Sequence, residues 1–345
     1  MEILVPAAGL STRYPNMRPK YLLYDYKSDL MLKNAVQQFI GTNHRITVAI
    51  LQEHADKFNA VEHIKAAIPH VNVIVLPEKT KGPADTVYQM LKWFDEEDFE
   101  FLVKDCDSFF THDMPSGNYI CVSNISDHVT LHKLSSKSFV KCNDQDIITD
   151  IIEKQVVSDT FCVGGYKFES AVQYKETFRK LSDSDQIDEI FVSHIIQDML
   201  MHNKTFITSR VRNYIDVGTF DEWESYNDKP VIFCDIDGTL IKAQSRFGDY
   251  NYDSDPIILQ ENYNKIKEYH DKGAQIFFVT SRETQYHSAT NRMLKNLGFD
   301  NSFLIMGLNN SSRILINDYN EANRYPRAVA YNIKRDNDNL KDFMR

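Results

Sequence analysis

Residues 3–20 read Ile-Leu-Val-Pro-Ala-Ala-Gly-Leu-Ser-Thr-Arg-Tyr-Pro-Asn-Met-Arg-Pro-Lys. The opening four residues predict a buried strand, and a loop of small residues follows at once. A strand that runs into such a loop lets backbone N–H groups approach phosphate oxygens. Gly9 has no Cβ to block that approach, and Ala8 beside it adds little bulk. Arg13 and Lys20 supply positive charge where a triphosphate would lie. Open α/β sheets bind ligands beyond the carboxyl ends of their strands, so the loop points to that architecture.

The same pattern extends outward. Further strands are predicted at 46–51, 71–76, 101–104, 119–123, 128–133, 161–168 and 205–209, with helices at 30–39, 84–94 and 189–201. Within 84–94, Val87, Met90, Leu91 and Phe94 recur at helical spacing. Alternating strands and helices favour a mostly parallel sheet covered by helices. The polar stretch Glu-Ser-Tyr-Asn-Asp-Lys-Pro at 224–230 breaks the series, and the apolar strand 231–234 restarts it. A helix at 259–271, a strand at 275–280, a helix at 284–297 and a strand at 313–317 follow. The fold class is therefore α/β, with two doubly wound domains at 1–228 and 229–345. A length of 345 residues suits two domains. The charged tail at 334–345 reads as peripheral.

Composition narrows the function classes. Lys+Arg 39 against Asp+Glu 49 gives a net charge of −10, which argues against nucleic acid or a membrane surface as partner. The five cysteines form no CxxC pair, so neither a disulfide framework nor a thiolate zinc site is expected, and a reduced cytoplasmic setting fits. No apolar run reaches the ~18–20 residues of a membrane span. The N-terminal apolar run ends at Pro6, too soon for a signal peptide. The histidines are scattered and read as surface or satisfied core residues. Ser11 and Ser193 lack the context of a nucleophile.

The string Pro6-Ala7-Ala8-Gly9 through Ser11-Thr12-Arg13-Tyr14 and Arg18-Pro19-Lys20 resembles the signature of the sugar nucleotidyltransferases, which make NDP-sugars from an NTP and a sugar phosphate. The resemblance covers about residues 1–223, because further landmarks appear in order. It implies that Gly82 and Ala84 contact the base, Lys154 the acceptor phosphate and Gly165 the sugar side. Asp107 and Asp216 would hold Mg²⁺, Arg13 would stabilise charge during transfer, and Lys20 would hold the reacting phosphates. One departure matters. The stretch Leu76-Pro77-Glu78-Lys79-Thr80-Lys81 lacks the Gln by which thymidylyl- and uridylyltransferases of this family read the base. That favours CTP. The acceptor is left open as a sugar or polyol phosphate, and a homo-oligomer is compatible with this reading.

The strand 231–234 delivers Asp235-Ile236-Asp237-Gly238-Thr239. Two carboxylates at i and i+2 after a buried strand are costly unless a cation and a phosphate share them. This motif closely resembles the haloacid dehalogenase superfamily of phosphatases, over about 230–330. The resemblance implies that Asp235 attacks phosphorus and Asp237 serves as general acid and base. Thr280 would bind the phosphoryl group. Asp318, with Asp235 and the backbone carbonyl of Asp237, would hold Mg²⁺. The family's phosphoryl-binding Lys is missing after Met306-Gly307, leaving Arg313 or Lys295 as substitutes, and the final acid pair reads Asn317-Asp318. The short interval from Thr239 to Gln275 argues against a large cap.

Together these features predict a bifunctional enzyme of activated-sugar synthesis, plausible in a bacterial capsule or surface polysaccharide pathway. Two alternatives stay open at this stage: a transferase carrying a non-catalytic C-terminal binding module, and a nucleotide-sugar sensor without turnover.

Overall fold

The computed structural model describes residues 1–94, 98–128, 134–183, 189–243, 255–317 and 328–344. The chain divides into two compact units, Met1–Asn227 and Asp228–Arg345.

Strand β1 (Glu2–Pro6) lies at the heart of the first unit. Ile3, Leu4 and Val5 are fully buried, as a strand covered on both faces requires. β1 pairs in parallel with β2 (Arg45–Leu51), which carries β3 (Asn72–Leu76) on its far side, and with β4 (Phe101–Lys104). Then come β5 (Ser108–His112), β6 (Asn118–Asn124), β7 (Phe139–Cys142), β8 (Ile148–Ile152), β9 (Thr160–Phe168) and β10 (Phe206–Asp216). Sheet order among the described strands is β3-β2-β1-β4-β9-β6-β10-β5, with β7 and β8 as a hairpin beside β9.

The sheet is parallel through β3-β2-β1-β4, but β9 runs antiparallel to both β4 and β6. Parallel neighbours need a long crossover, normally a helix. The described residues between β6 and β9 hold no α-helix, so that half returns on itself instead. Side chains of β1 alternate between faces. Leu4 joins a core with the helices Pro83–Leu91, Ala171–Ser182 and Val192–Met201, while Ile3 and Val5 face Met31–Val36 and Ala60–Ala67.

In the second unit β11 (Val231–Asp235), β12 (Gln275–Val279) and β13 (Phe303–Ile305) pair in parallel in that order. The helices Gln260–Asp271 and His287–Asn296 contribute Ile266 and Leu294 to a core with Cys234, Ile236 and Phe278.

Two expectations change here, and a third is left untested. The predicted strand at 313–317 carries no ladder among the described residues, and Ile314 and Ile316 are 82% and 91% exposed. Apolar composition alone does not make a strand without a partner; β13 occupies the position beside β12. Most of the predicted strand at 128–133 lies outside the described residues. The C-terminal tail is docked rather than peripheral. Leu340 is buried in the core, and its N–H donates to the Asn262 side-chain oxygen at 2.7 Å.

Candidate functional site

The phosphate-loop candidate emerges from β1 where Ala7 N–H donates to the Ala49 carbonyl at 2.9 Å. Tyr14 N–H then donates to the Ser11 carbonyl at 2.8 Å, closing a turn with Ser11 at φ +52°. The Ser11 hydroxyl accepts from Lys20 N–H at 3.1 Å, so this serine braces the loop. Ala8, Gly9, Arg13 and Lys20 all line one cavity of about 810 Å³.

Asp107 sits in the turn between β4 and β5, and Asp216 ends β10. The antiparallel β10–β5 ladder places Asp216 opposite Ser108, which brings these distant carboxylates together. Val217 N–H donates to the Asp107 carbonyl at 3.0 Å and fixes the juncture. A Cβ placed on Gly218 would stand 3.2 Å from Asp216 Oδ1, 3.4 Å from Asp107 Oδ2 and 3.4 Å from Arg13 Nη1. Both carboxylates and the guanidinium therefore converge on one small space, which the absent side chain of Gly218 leaves free.

Each carboxylate also has a lysine. Lys20 Nζ donates to Asp107, and Lys137 Nζ donates to Asp216. Burial opposes the charge on Asp107, but Lys20, Arg13 and Lys137 override it and hold the carboxyl well below the usual carboxylate range. Burial likewise opposes the charge on Lys137, yet Tyr214 and Asp216 hold its pKa above the usual lysine value. Asp105, shielded beside Gly164, goes the other way. Burial and the neighbouring Asp107 push it up to about 6.

Oxygen donors converging without a thiolate or imidazole suit a hard cation such as Mg²⁺. Among the described residues no three His, Cys, Asp or Glu side chains gather as a metal cluster. Asp107 and Asp216 would thus supply two ligands, leaving the other positions to water and phosphate, which is common for Mg²⁺.

On a polar wall of the cavity, Glu153 accepts hydrogen bonds from the hydroxyls of Ser138 and Ser193, the latter at 2.6 Å. Lys154 Nζ lies 4.0 Å from the Phe191 ring centroid. Gly82 and Lys154 line the same cavity as the phosphate loop. Two of the sequence candidates do not. Ala84 is fully buried, with its N–H on the Ile190 carbonyl at 3.2 Å. A Cβ on Gly165 would meet Cys121 Sγ at 2.7 Å, so Gly165 is a packing position and its neighbour Gly164 faces the cavity.

The second site forms beyond β11. Asp235 ends that strand and Asp237 follows in the loop, at 36% and 22% side-chain exposure. Arg282 grips Asp237 in a fork, its Nε and Nη2 each 2.7 Å from a carboxylate oxygen. Thr280 is buried next to it, and its hydroxyl accepts from Arg282 N–H at 3.1 Å. Arg313 Nη2 donates to Asp235 Oδ1 at 3.1 Å. Burial raises the Asp235 pKa, with Arg313 partly offsetting it. Asp318 lies outside the described residues. Asp235 and Asp237 offer oxygen donors suited to Mg²⁺.

Residues of the tail hold this loop from outside. Asp336 N–H donates to the Gly238 carbonyl at 2.9 Å, and Ala243 N–H donates to the Asp336 carboxylate at 2.8 Å. Buried Asn262 donates to the carbonyls of Thr239 and Asn337 at 2.7 and 2.8 Å.

Sequence reading missed Lys137, Ser138, Arg282 and Asn262, and weighed Ser193 only as a nucleophile. Arg282 had a signal, standing two residues after Thr280 at the end of a predicted strand. The others belong to no contiguous motif and meet their partners only through the fold.

Comparison with known proteins separates the same two regions. Residues 232–334 match the family model of haloacid dehalogenase-like hydrolases. Among solved structures, a nucleoside-diphosphate-sugar pyrophosphorylase from Vibrio cholerae RC9 is 18% identical, with a TM-score of 0.54 over 65% of this chain and 98% of that one. The inositol-1-phosphate CTP transferase from T. maritima is 16% identical, with a TM-score of 0.51 over 64% and 90%. The CTP:phosphocholine cytidylyltransferase from Streptococcus pneumoniae is 12% identical, with a TM-score of 0.50 over 66% and 97%. No curated protein matches the chain. The N-terminal part thus has the fold of the nucleotide-sugar pyrophosphorylases and cytidylyltransferases, and residues 232–334 match the haloacid dehalogenase-like hydrolases.

Proposed function

We propose that the first unit transfers a nucleotidyl group from an NTP, with CTP favoured, to a sugar or polyol phosphate. An oxygen of the acceptor phosphate attacks the α-phosphorus, the bond to the β-phosphate oxygen breaks, and pyrophosphate leaves. Mg²⁺ bound by Asp107 and Asp216 would neutralise the crowded phosphate oxygens. Arg13 and Lys20 hold the phosphates in line, and Lys154 binds the acceptor phosphate. The observation that carries this reading is the convergence of Asp107, Asp216 and Arg13 around Gly218. CTP gains support from the missing base-reading Gln and from two neighbours named for CTP.

The second unit hydrolyses a phosphate monoester. Asp235 attacks phosphorus while the ester oxygen leaves with a proton from Asp237, giving an aspartyl phosphate. Asp237 then takes a proton from the water that attacks this phosphorus and releases phosphate. Mg²⁺ at Asp235, the Asp237 carbonyl and Asp318 would neutralise the phosphoryl oxygens. Thr280 and Arg313 hold the phosphoryl group, and Arg282 orients Asp237. On this reading the protein serves cytoplasmic synthesis of an activated sugar or polyol, of the kind that bacterial capsules consume. No helix among the described residues is long and apolar enough to cross a membrane.

The test is a matrix of four NTPs against sugar and polyol phosphates, read by pyrophosphate release, with a generic phosphate monoester for the second site. Mg²⁺-dependent pyrophosphate release with CTP supports the transferase reading; no release with any pair overturns it. Phosphate release that survives Asp235→Asn unchanged overturns the phosphatase reading.

A further inference from the structure

Lys137 lies two residues before β7, outside every sequence motif discussed above. Its carbonyl accepts the Lys154 N–H at 3.1 Å, so the two lysines are backbone neighbours, and both line the first cavity. Lys154 is held at φ +56°. Lys137 Nζ donates to the Tyr214 hydroxyl at 2.9 Å and to Asp216, with only 16% of its side chain exposed. Asp216 is similarly enclosed, at 16%. Beside them Ser138, Ser193 and Glu153 form the polar wall described above.

Asp216 therefore has two competing partners. A divalent ion needs the carboxylate, and so does Lys137. A largely buried ammonium without an anion is strongly disfavoured. An ion that takes Asp216 leaves Lys137 in need of a replacement anion. A phosphate bound through Lys154 would meet that need, because both lysines line one cavity and are joined by a backbone hydrogen bond.

We propose that Lys137 is a second cation for the acceptor phosphate, paired with Asp216 until a divalent ion takes that carboxylate. This rests on the transferase reading and deepens it. Two lysines match a doubly charged phosphomonoester and discriminate against phosphodiesters and neutral alcohols. Metal and phosphate binding then reinforce each other, since each relieves the cost the other imposes.

The test uses the full chain, with Mn²⁺ binding followed by electron paramagnetic resonance and inorganic phosphate binding by calorimetry. In Lys137→Met, Mn²⁺ alone binds about fivefold or more tightly, because its competitor at Asp216 is gone. Phosphate in the presence of Mg²⁺ binds about tenfold more weakly, and Lys137→Arg restores most of that loss. Lys137→Gln carries the same expectations should the methionine variant fold poorly. In the wild type, Mg²⁺ strengthens phosphate binding. Unchanged Mn²⁺ affinity, unchanged phosphate affinity, or a wild type that binds no phosphate each overturns the proposal. Pyrophosphate release by the wild type reports separately on the transferase reading. Release with unaltered Lys137→Met binding removes only this inference. The predicted binding shifts without release with any pair remove only the transferase reading.

Discussion

Gly218 marks the point where three charged groups of the first site meet, and its lack of a side chain has a direct consequence. Gly218→Ala would put a methyl group 3.2 Å from Asp216 Oδ1 and 3.4 Å from Asp107 Oδ2. Its Mg²⁺-dependent pyrophosphate release is expected to fall on the order of a hundredfold, with the melting temperature little changed. Asp105 gives a pH signature. Its folded pKa is raised by burial and Asp107 from 3.8 to about 6, so the folded state holds this proton more strongly than the unfolded state. That contribution to stability is complete below 3.8 and disappears as pH rises through about 6. Urea unfolding of the metal-free protein across this window should show the decline, and Asp105→Asn should flatten it. On the proposed mechanism Asp235 must be ionised to attack, and burial raises its pKa despite Arg313. Replacing Arg313 by Met should move the acid limb of phosphatase kcat/KM to higher pH; an unmoved limb would show that Arg313 does not act on the nucleophile.

At the scale of elements, the glycines of β9 and the docked tail decide how well each site is held. Gly165→Ala forces a methyl group against Cys121 and Phe110 in a packed core. A loss of about 1–3 kcal/mol on urea unfolding is expected. Asn262→Ala strips partners from Thr239, Asn337 and Leu340 at once. Roughly 2–4 kcal/mol of second-unit stability should go with them. The same elements explain what the sequence disclosed. The loop at Ala8 and Gly9 and the run from Asp235 to Asp237 were legible because local residues make them: a buried strand, then small or acidic residues in fixed order. Lys137 and Asn262 were hidden because a long-range ladder and a docked tail create their partnerships. The stretch 313–317 misled for a related reason. Its composition is strand-like, but composition does not supply a neighbour to pair with.

Across the whole molecule, two compact units each carry their own carboxylate site. The alternation of strands and helices announced both sheets, and the polar stretch at 224–230 lies where one unit gives way to the other. It did not announce the antiparallel β9, whose connection from β6 holds the β7–β8 hairpin instead of an α-helix among the described residues. Separate sites predict separable losses. Asp235→Asn should abolish phosphate release from a monoester and leave pyrophosphate release intact. The central claim is that Asp107 and Asp216 gather one magnesium ion for nucleotidyl transfer. The most direct measurement is pyrophosphate release from CTP and a panel of sugar and polyol phosphates, with and without EDTA, by the wild type, Asp107→Asn and Asp216→Asn. EDTA-sensitive release that falls on the order of a hundredfold or more in both variants is the predicted result. Release that persists in either variant at the wild-type rate would contradict it.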